Sequence, residues 1–117
     1  MIVSPSFALE IRDKRRALHV RITGHLDGPI LVGGELLSAM ERRSGGLMVV
    51  DLSAVDTVNT EGLEALERLV AKSDADRVRL RIVAPYGTRI RRALDLLHFP
   101  NFVVVRENVT RALRFGR

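Results

Sequence analysis

The chain of 117 residues contains no cysteine and no tryptophan, and its aromatic side chains are one tyrosine and four phenylalanines. Without cysteine there can be no disulfide, no thiolate nucleophile and no cysteine-based metal site. Lysine is scarce as well. Lys14 and Lys72 are the only two, so the net charge of +5 is carried by arginine. No apolar run approaches the roughly 18 residues that a membrane-spanning helix needs. The N-terminal stretch MIVSPSFALEIRDKRR places its charges after its apolar residues, the reverse of a secretory signal, and a cytoplasmic protein is expected. Repeats, low-complexity tracts and linkers are missing too, which points to one domain over 1–117.

Other absences narrow the chemistry. His19, His25 and His98 lie far apart and show no paired-ligand spacing, so each is read as structural or surface. No nucleophile–base pair and no glycine-rich phosphate loop is visible, so the chain is not read as an enzyme. No cofactor is implied, although nucleotide binding without turnover stays open. A basic chain invites a nucleic-acid or anionic-membrane reading. The arginines, however, are spread over many segments, and the aromatics do not interleave with them as stacking platforms would. No nucleic acid and no direct membrane insertion are expected.

What is present is a clear alternation of elements. Phe7, Leu9 and Ile11 alternate with Ala8, Glu10 and Arg12, and Leu18, Val20 and Ile22 alternate with His19, Arg21 and Thr23. Both segments read as half-buried strands joined as a hairpin. Leu47 to Leu52 is apolar on both faces and reads as a central strand. Val78 to Val83 sets Val78, Leu80 and Ile82 against Arg77, Arg79 and Arg81, and those arginines are expected to mark an exposed side of the sheet. Phe102 to Val105 is a fifth apolar run.

Four helical segments fill the gaps: Pro29 to Arg43, Thr60 to Lys72, Thr88 to His98, and Asn108 to Phe115 with Asn108 as its cap. In the second, Glu64 and Arg68 stand at i,i+4 spacing. The order is β-β-α-β-α-β-α-β-α, an α/β fold with a mixed five-stranded sheet. A sheet covered on both sides has strands that read as continuous apolar runs. Three strands here carry a charge on alternate residues, so the helices should cover mainly one face.

The most informative stretch is Leu47 to Leu63, LMVVDLSAVDTVNTEGL. A strand runs into Asp51, a short connection leads through Ala54 to Val58, and Asn59-Thr60-Glu61-Gly62 opens a helix. Such an opening presents polar side chains and unpaired backbone N–H groups, which favour anions. Asp27, before Gly28-Pro29, reads as a cap or turn residue, and Asp51 as an anchor for local backbone. A phosphoryl-accepting receiver built on Asp27, Asp51 and Asp56 is rejected. It lacks an adjacent acid pair after the first strand, and Arg106 stands where its lysine would be.

Ile22-Thr23-Gly24-His25-Leu26-Asp27 resembles the Gly-x-Leu-Asp signature of STAS domains, the sulfate-transporter and anti-sigma-factor-antagonist family. The stretch from Val49 to Gly62-Leu63, the segment Ile90 to Leu96 followed by Phe99, and the closing Val109 to Leu113 are similar to the same family's later elements. The likeness spans about residues 7–114.

The resemblance implies a non-catalytic docking domain of a partner-switching module, whose partner is an anti-sigma factor or a serine/threonine kinase. It implies a partner surface at Asn59, Thr60, Glu61 and Gly62, with Glu64 and the Asp27 loop beside them. In that family the second serine of an Asp-Ser-Ser-Gly tetrad is phosphorylated; here Glu61 holds that position and cannot accept a phosphoryl group. Glu61 either imitates the phosphorylated state or belongs to a branch that docks without switching, and Thr60 is the alternative acceptor. A purely structural reading also stands, since a carboxylate in a first helical turn gains roughly 0.3–1 kcal/mol against the macrodipole. The resemblance leaves room for a scaffold or accessory subunit of a lipid-transport ATPase or stress-signalling complex, and for a homodimer.

Overall fold

The computed structural model describes residues 2–3, 7–13, 17–26, 34–42, 46–97 and 104–113. Its elements follow in the order β1 (Ile2–Val3), β2 (Phe7–Asp13), β3 (Leu18–Leu26), α1 (Gly34–Arg42), β4 (Leu47–Val58), α2 (Thr60–Ala75), β5 (Arg79–Val83), α3 (Arg89–Asp95), β6 (Val104–Arg106) and α4 (Val109–Leu113). The expected order is present, with the two-residue β1 added at the sheet edge. Pro29 to Gly33, His98 to Val103 and Arg114 to Arg117 lie outside the described residues.

The six strands lie in the sheet in chain order. β1 pairs with β2 and β2 with β3 in antiparallel fashion, whereas β3 to β6 are parallel. A parallel connection is right-handed in almost every known case. Because every crossover here steps in the same direction, α1, α2 and α3 must fall on one face. The main core shows that they do. Leu36 and Met40 of α1, Leu66 and Leu69 of α2, and Ile90 and Leu94 of α3 pack with Val20, Ile22, Met48, Val50, Leu80 and Ile82.

The second face is covered by α4. Ala112, with Val109 and Leu113 beside it, packs on Leu47, Val49 and Val83 in a smaller cluster. This corrects the expectation for Arg81, which is only 2 % exposed. Its Nη1 donates to the Ala112 carbonyl at 2.6 Å. Burial, with Arg79 and Arg106 nearby, holds its pKa below the usual guanidinium value. Arg79 is exposed as expected, while Arg77 lies in the turn after α2 rather than on a strand.

β4 is also longer than expected. Residues 53–58 are strand, not a connection, and pair with β3 as far as Leu26 opposite Val58. The register slips twice along the way, between Arg21/Thr23 and Gly24/His25. At the first slip the Asp51 carboxylate accepts from Ser53 N–H at 2.9 Å and Ser53 Oγ–H at 2.6 Å, which satisfies a donor that an irregular ladder leaves over. At the second, Gly24 takes φ 90°, a conformation that glycine adopts without a Cβ penalty.

Candidate functional site

The C-terminal ends of β3 and β4 meet at the opening of α2. Asn59, in extended backbone at φ −109° and ψ 175°, caps the helix, its Oδ1 accepting from Gly62 N–H at 2.7 Å. The Asn59 carbonyl starts the helical ladder by accepting from Leu63 N–H at 3.1 Å. Asparagine suits this position because its short side chain reaches the third helical amide while its own backbone stays extended.

Gly62 is what allows the opening to sit where it does. A Cβ there would collide with the Leu26 carbonyl oxygen and approach the Leu26 carbonyl carbon to 3.1 Å. The first turn of α2 therefore rests directly on the end of β3. Two residues before the cap, Thr57 Oγ1 lies 2.6 Å from His25 Nδ1, a second tie between the same strand ends.

Above this buried seat, Thr60 and Glu61 are exposed and Asn59 is half-buried. Glu64 is exposed one turn further on, and Glu67 continues the row. The opposite side of α2 is apolar: Ala65, Leu66, Leu69 and Val70 are buried and Leu63 partly so. Five of the six expected site residues, Asn59, Thr60, Glu61, Gly62 and Glu64, are thus brought together on one helix opening. Asp27 lies outside the described residues; it follows Leu26, against which Gly62 packs.

Sequence reasoning did not identify the neighbouring loop at the same end of the sheet. After β5 the chain runs through Ala84 and Pro85 to Tyr86, whose ring lies 4.3 Å beneath the Arg91 guanidinium. Thr88 caps α3 by accepting from Arg91 N–H at 3.2 Å. Tyr86-Gly87, a turn dipeptide between a strand and a helix, was the available signal.

The opening of α2 is a surface feature. A cavity of about 370 Å³ lies at the far end of α2, lined by Glu41, Ala75, Asp76 and Arg77. Another of about 330 Å³ lies on the second face, where Glu10, Arg12, Arg21 and Asp51 meet Val109 and Leu113. Among the described residues, no group of three or more His, Cys, Asp or Glu side chains could hold a metal ion. Nor, among them, is any helix long and apolar enough to cross a membrane. An exposed, capped helix mouth with one carboxylate can present a charge and hydrogen-bonding groups to another molecule.

The family model for the STAS domain matches residues 8–112. No curated protein matches the chain. Among solved structures, the fold is similar to that of an anti-sigma factor antagonist from Mycobacterium paratuberculosis, with TM-score 0.72, 21 % identity and 98 % of each chain covered. It is also similar to the anti-sigma factor antagonist SpoIIAA in its unphosphorylated form, with TM-score 0.67, 13 % identity, and 91 % of this chain and 93 % of that one covered. A STAS domain of an antisigma-factor antagonist from Rhodobacter sphaeroides aligns with TM-score 0.52 and 21 % identity, covering 68 % of this chain and 87 % of its own. At such identities the likeness is one of fold.

Proposed function

Since the chain belongs to the STAS domain family, we propose that it is a non-catalytic docking domain of the anti-sigma factor antagonist kind. Its partner is an anti-sigma factor or serine/threonine kinase of a partner-switching module. The docking surface is the α2 opening, Asn59, Thr60 and Glu61 held over the buried Gly62, with Glu64 and Asp27 beside it. The observation that carries this reading is the position of Glu61: exposed, in the first turn of α2, directly after the Asn59 cap.

Glu61 makes the docking surface permanently negative. Its single charge is smaller than the roughly −1.5 to −2 of a phosphoserine. It cannot be added or removed by a kinase and phosphatase, so docking is not switched at this position. The N-terminal end of the helix dipole stabilises that charge, and the Asn59 cap holds the turn that displays it.

The test takes the purified chain, the kinase-like protein that co-purifies with it, and ATP. No phosphate is expected on the wild-type chain, and Glu61→Ser is expected to create an acceptor. Phosphate found on Thr60 by mass spectrometry would overturn the unswitched reading. Glu61→Arg is expected to weaken the complex at least about tenfold. An unchanged affinity would remove the α2 opening as the docking surface.

A further inference from the structure

Tyr86 and Leu96 are the large hydrophobic side chains left exposed among the described residues, at 72 % and 80 %, and they bracket α3. Arg89 and Arg92 are exposed between them, as is Asp95, which lies 3.5 Å from Arg91 Nε. Positions 89, 92 and 96 are spaced three and four residues apart, so they share one stripe of the helix. The patch is held in place. Arg91 lies over the Tyr86 ring, the Tyr86 amide donates to Glu107 Oε2 at 2.7 Å, and Arg92 Nη1 donates to the Gly87 carbonyl at 3.3 Å. Tyrosine and arginine on a fixed frame are the side chains most enriched where proteins bind one another.

The neighbouring helix carries the opposite charge. α2 exposes Glu61, Glu64 and Glu67, with Arg68 the one exposed cation beside them. Because β4, β5 and β6 are parallel and adjacent in order, α2 and α3 belong to successive crossovers on one face, run in the same direction and begin at the same end of the sheet. An acidic row therefore shares that face with a basic and apolar one.

We propose that this face is self-complementary and that its occupant is a second copy of the chain. A two-fold axis parallel to the helices lays α2 of one copy on α3 of the other, and the reverse, so each contact is made twice. The proposed contact sets Glu64 of one copy against Arg92 of the other, each within the opening turns of its helix. Tyr86 and Leu96 are covered in the same step. An axis across the helices would instead set one glutamate row on the other, and like charges facing each other are costly. Glu64 also belongs to the docking surface proposed above, so a copy held in the dimer cannot offer it to another partner.

Sedimentation equilibrium of the purified chain tests the proposal. A reversible dimer is expected, weakened at least about tenfold by Arg92→Glu or by Glu64→Arg. Combining the two reversals in one chain is expected to restore it, and Leu96→Ser to weaken it again. Both charged residues are exposed, and circular dichroism checks that each variant is folded. A chain that stays monomeric up to about 1 mM, a dimer indifferent to either reversal, or a double reversal without recovery would each overturn the self-contact. The measurement uses this chain alone, so its failure leaves docking at the α2 opening untouched. Failure of that docking reading likewise leaves the dimer standing.

Discussion

Single residues carry much of the geometry at the candidate site. Gly62→Ala adds a methyl group where the Leu26 backbone already sits, and backbone can yield only by moving α2 off β3. Overpacking of this kind costs about 1–3 kcal/mol, to be read from the urea midpoint. Asn59→Ala removes the side-chain acceptor of the Gly62 amide and is expected to cost about 1 kcal/mol, with Asn59→Asp retaining most of the stability. Glu61 differs from both. It is exposed, so Glu61→Gln should lower stability by no more than the roughly 0.3–1 kcal/mol of its dipole interaction, and its effect on the proposed docking can be measured on a folded protein. Arg81 acts at the other face. Its folded-state pKa is depressed by burial and by Arg79 and Arg106, so folding disfavours its cation. Stability linked to this group would rise with pH only in the far alkaline range where an arginine titrates, so it contributes no pH dependence near neutrality.

At the scale of elements, the end of α2 shows a local conflict. Val78 N–H bonds to the Ser73 carbonyl at 2.8 Å and Arg77 N–H to the Asp74 carbonyl at 3.1 Å, the paired bonds of a Schellman termination. The residue in the left-handed conformation is Arg77, at φ 58°, where glycine is usual. Arg77→Gly should therefore stabilise the protein by up to about 1 kcal/mol in thermal or urea unfolding. The same substitution explains why the helix runs to Ala75, past the expected end at Lys72: its stop signal is not a glycine. α4 is the complementary case. It has five residues, too few to be stable alone, and holds to the sheet through Ala112, its half-buried neighbours and the Arg81 hydrogen bond. Arg81→Ala is expected to raise amide exchange throughout α4 while β3, β4 and β5 keep their protection.

At the scale of the molecule, the described residues form one central sheet packed on both sides, by three helices on one face and one short helix on the other. The innermost strands β3, β4 and β5 have neighbours on both edges. Native-state hydrogen exchange should find the slowest amides there and the fastest in β1, β6 and α4, since short edge elements open without global unfolding. The proposed docking and dimer surfaces both use the layer of α1 to α3, and both lie toward the end of the sheet where the parallel strands terminate. Parallel strands each followed by a helix put the helix starts at that end, so charge and aromatic groups collect there without any pocket being required.

The element order, the strand faces and the capped opening of α2 were legible in the chain because each depends on short-range pattern. A period of two marks Leu18, Val20 and Ile22 as one face, and Asn59 before an apolar helical stripe marks a cap. The buried Leu66 and Leu69 stand out by the same spacing. Periodicity says which residues share a face, but not whether something covers that face. Arg81 alternates like Arg79 and yet is buried, because α4, distant in sequence, folds over it. The extension of β4 to Val58 depends on pairing with β3, and the need for glycine at position 62 on the arrival of Leu26. Each is a contact between segments far apart in the chain, and only the assembled structure could decide it.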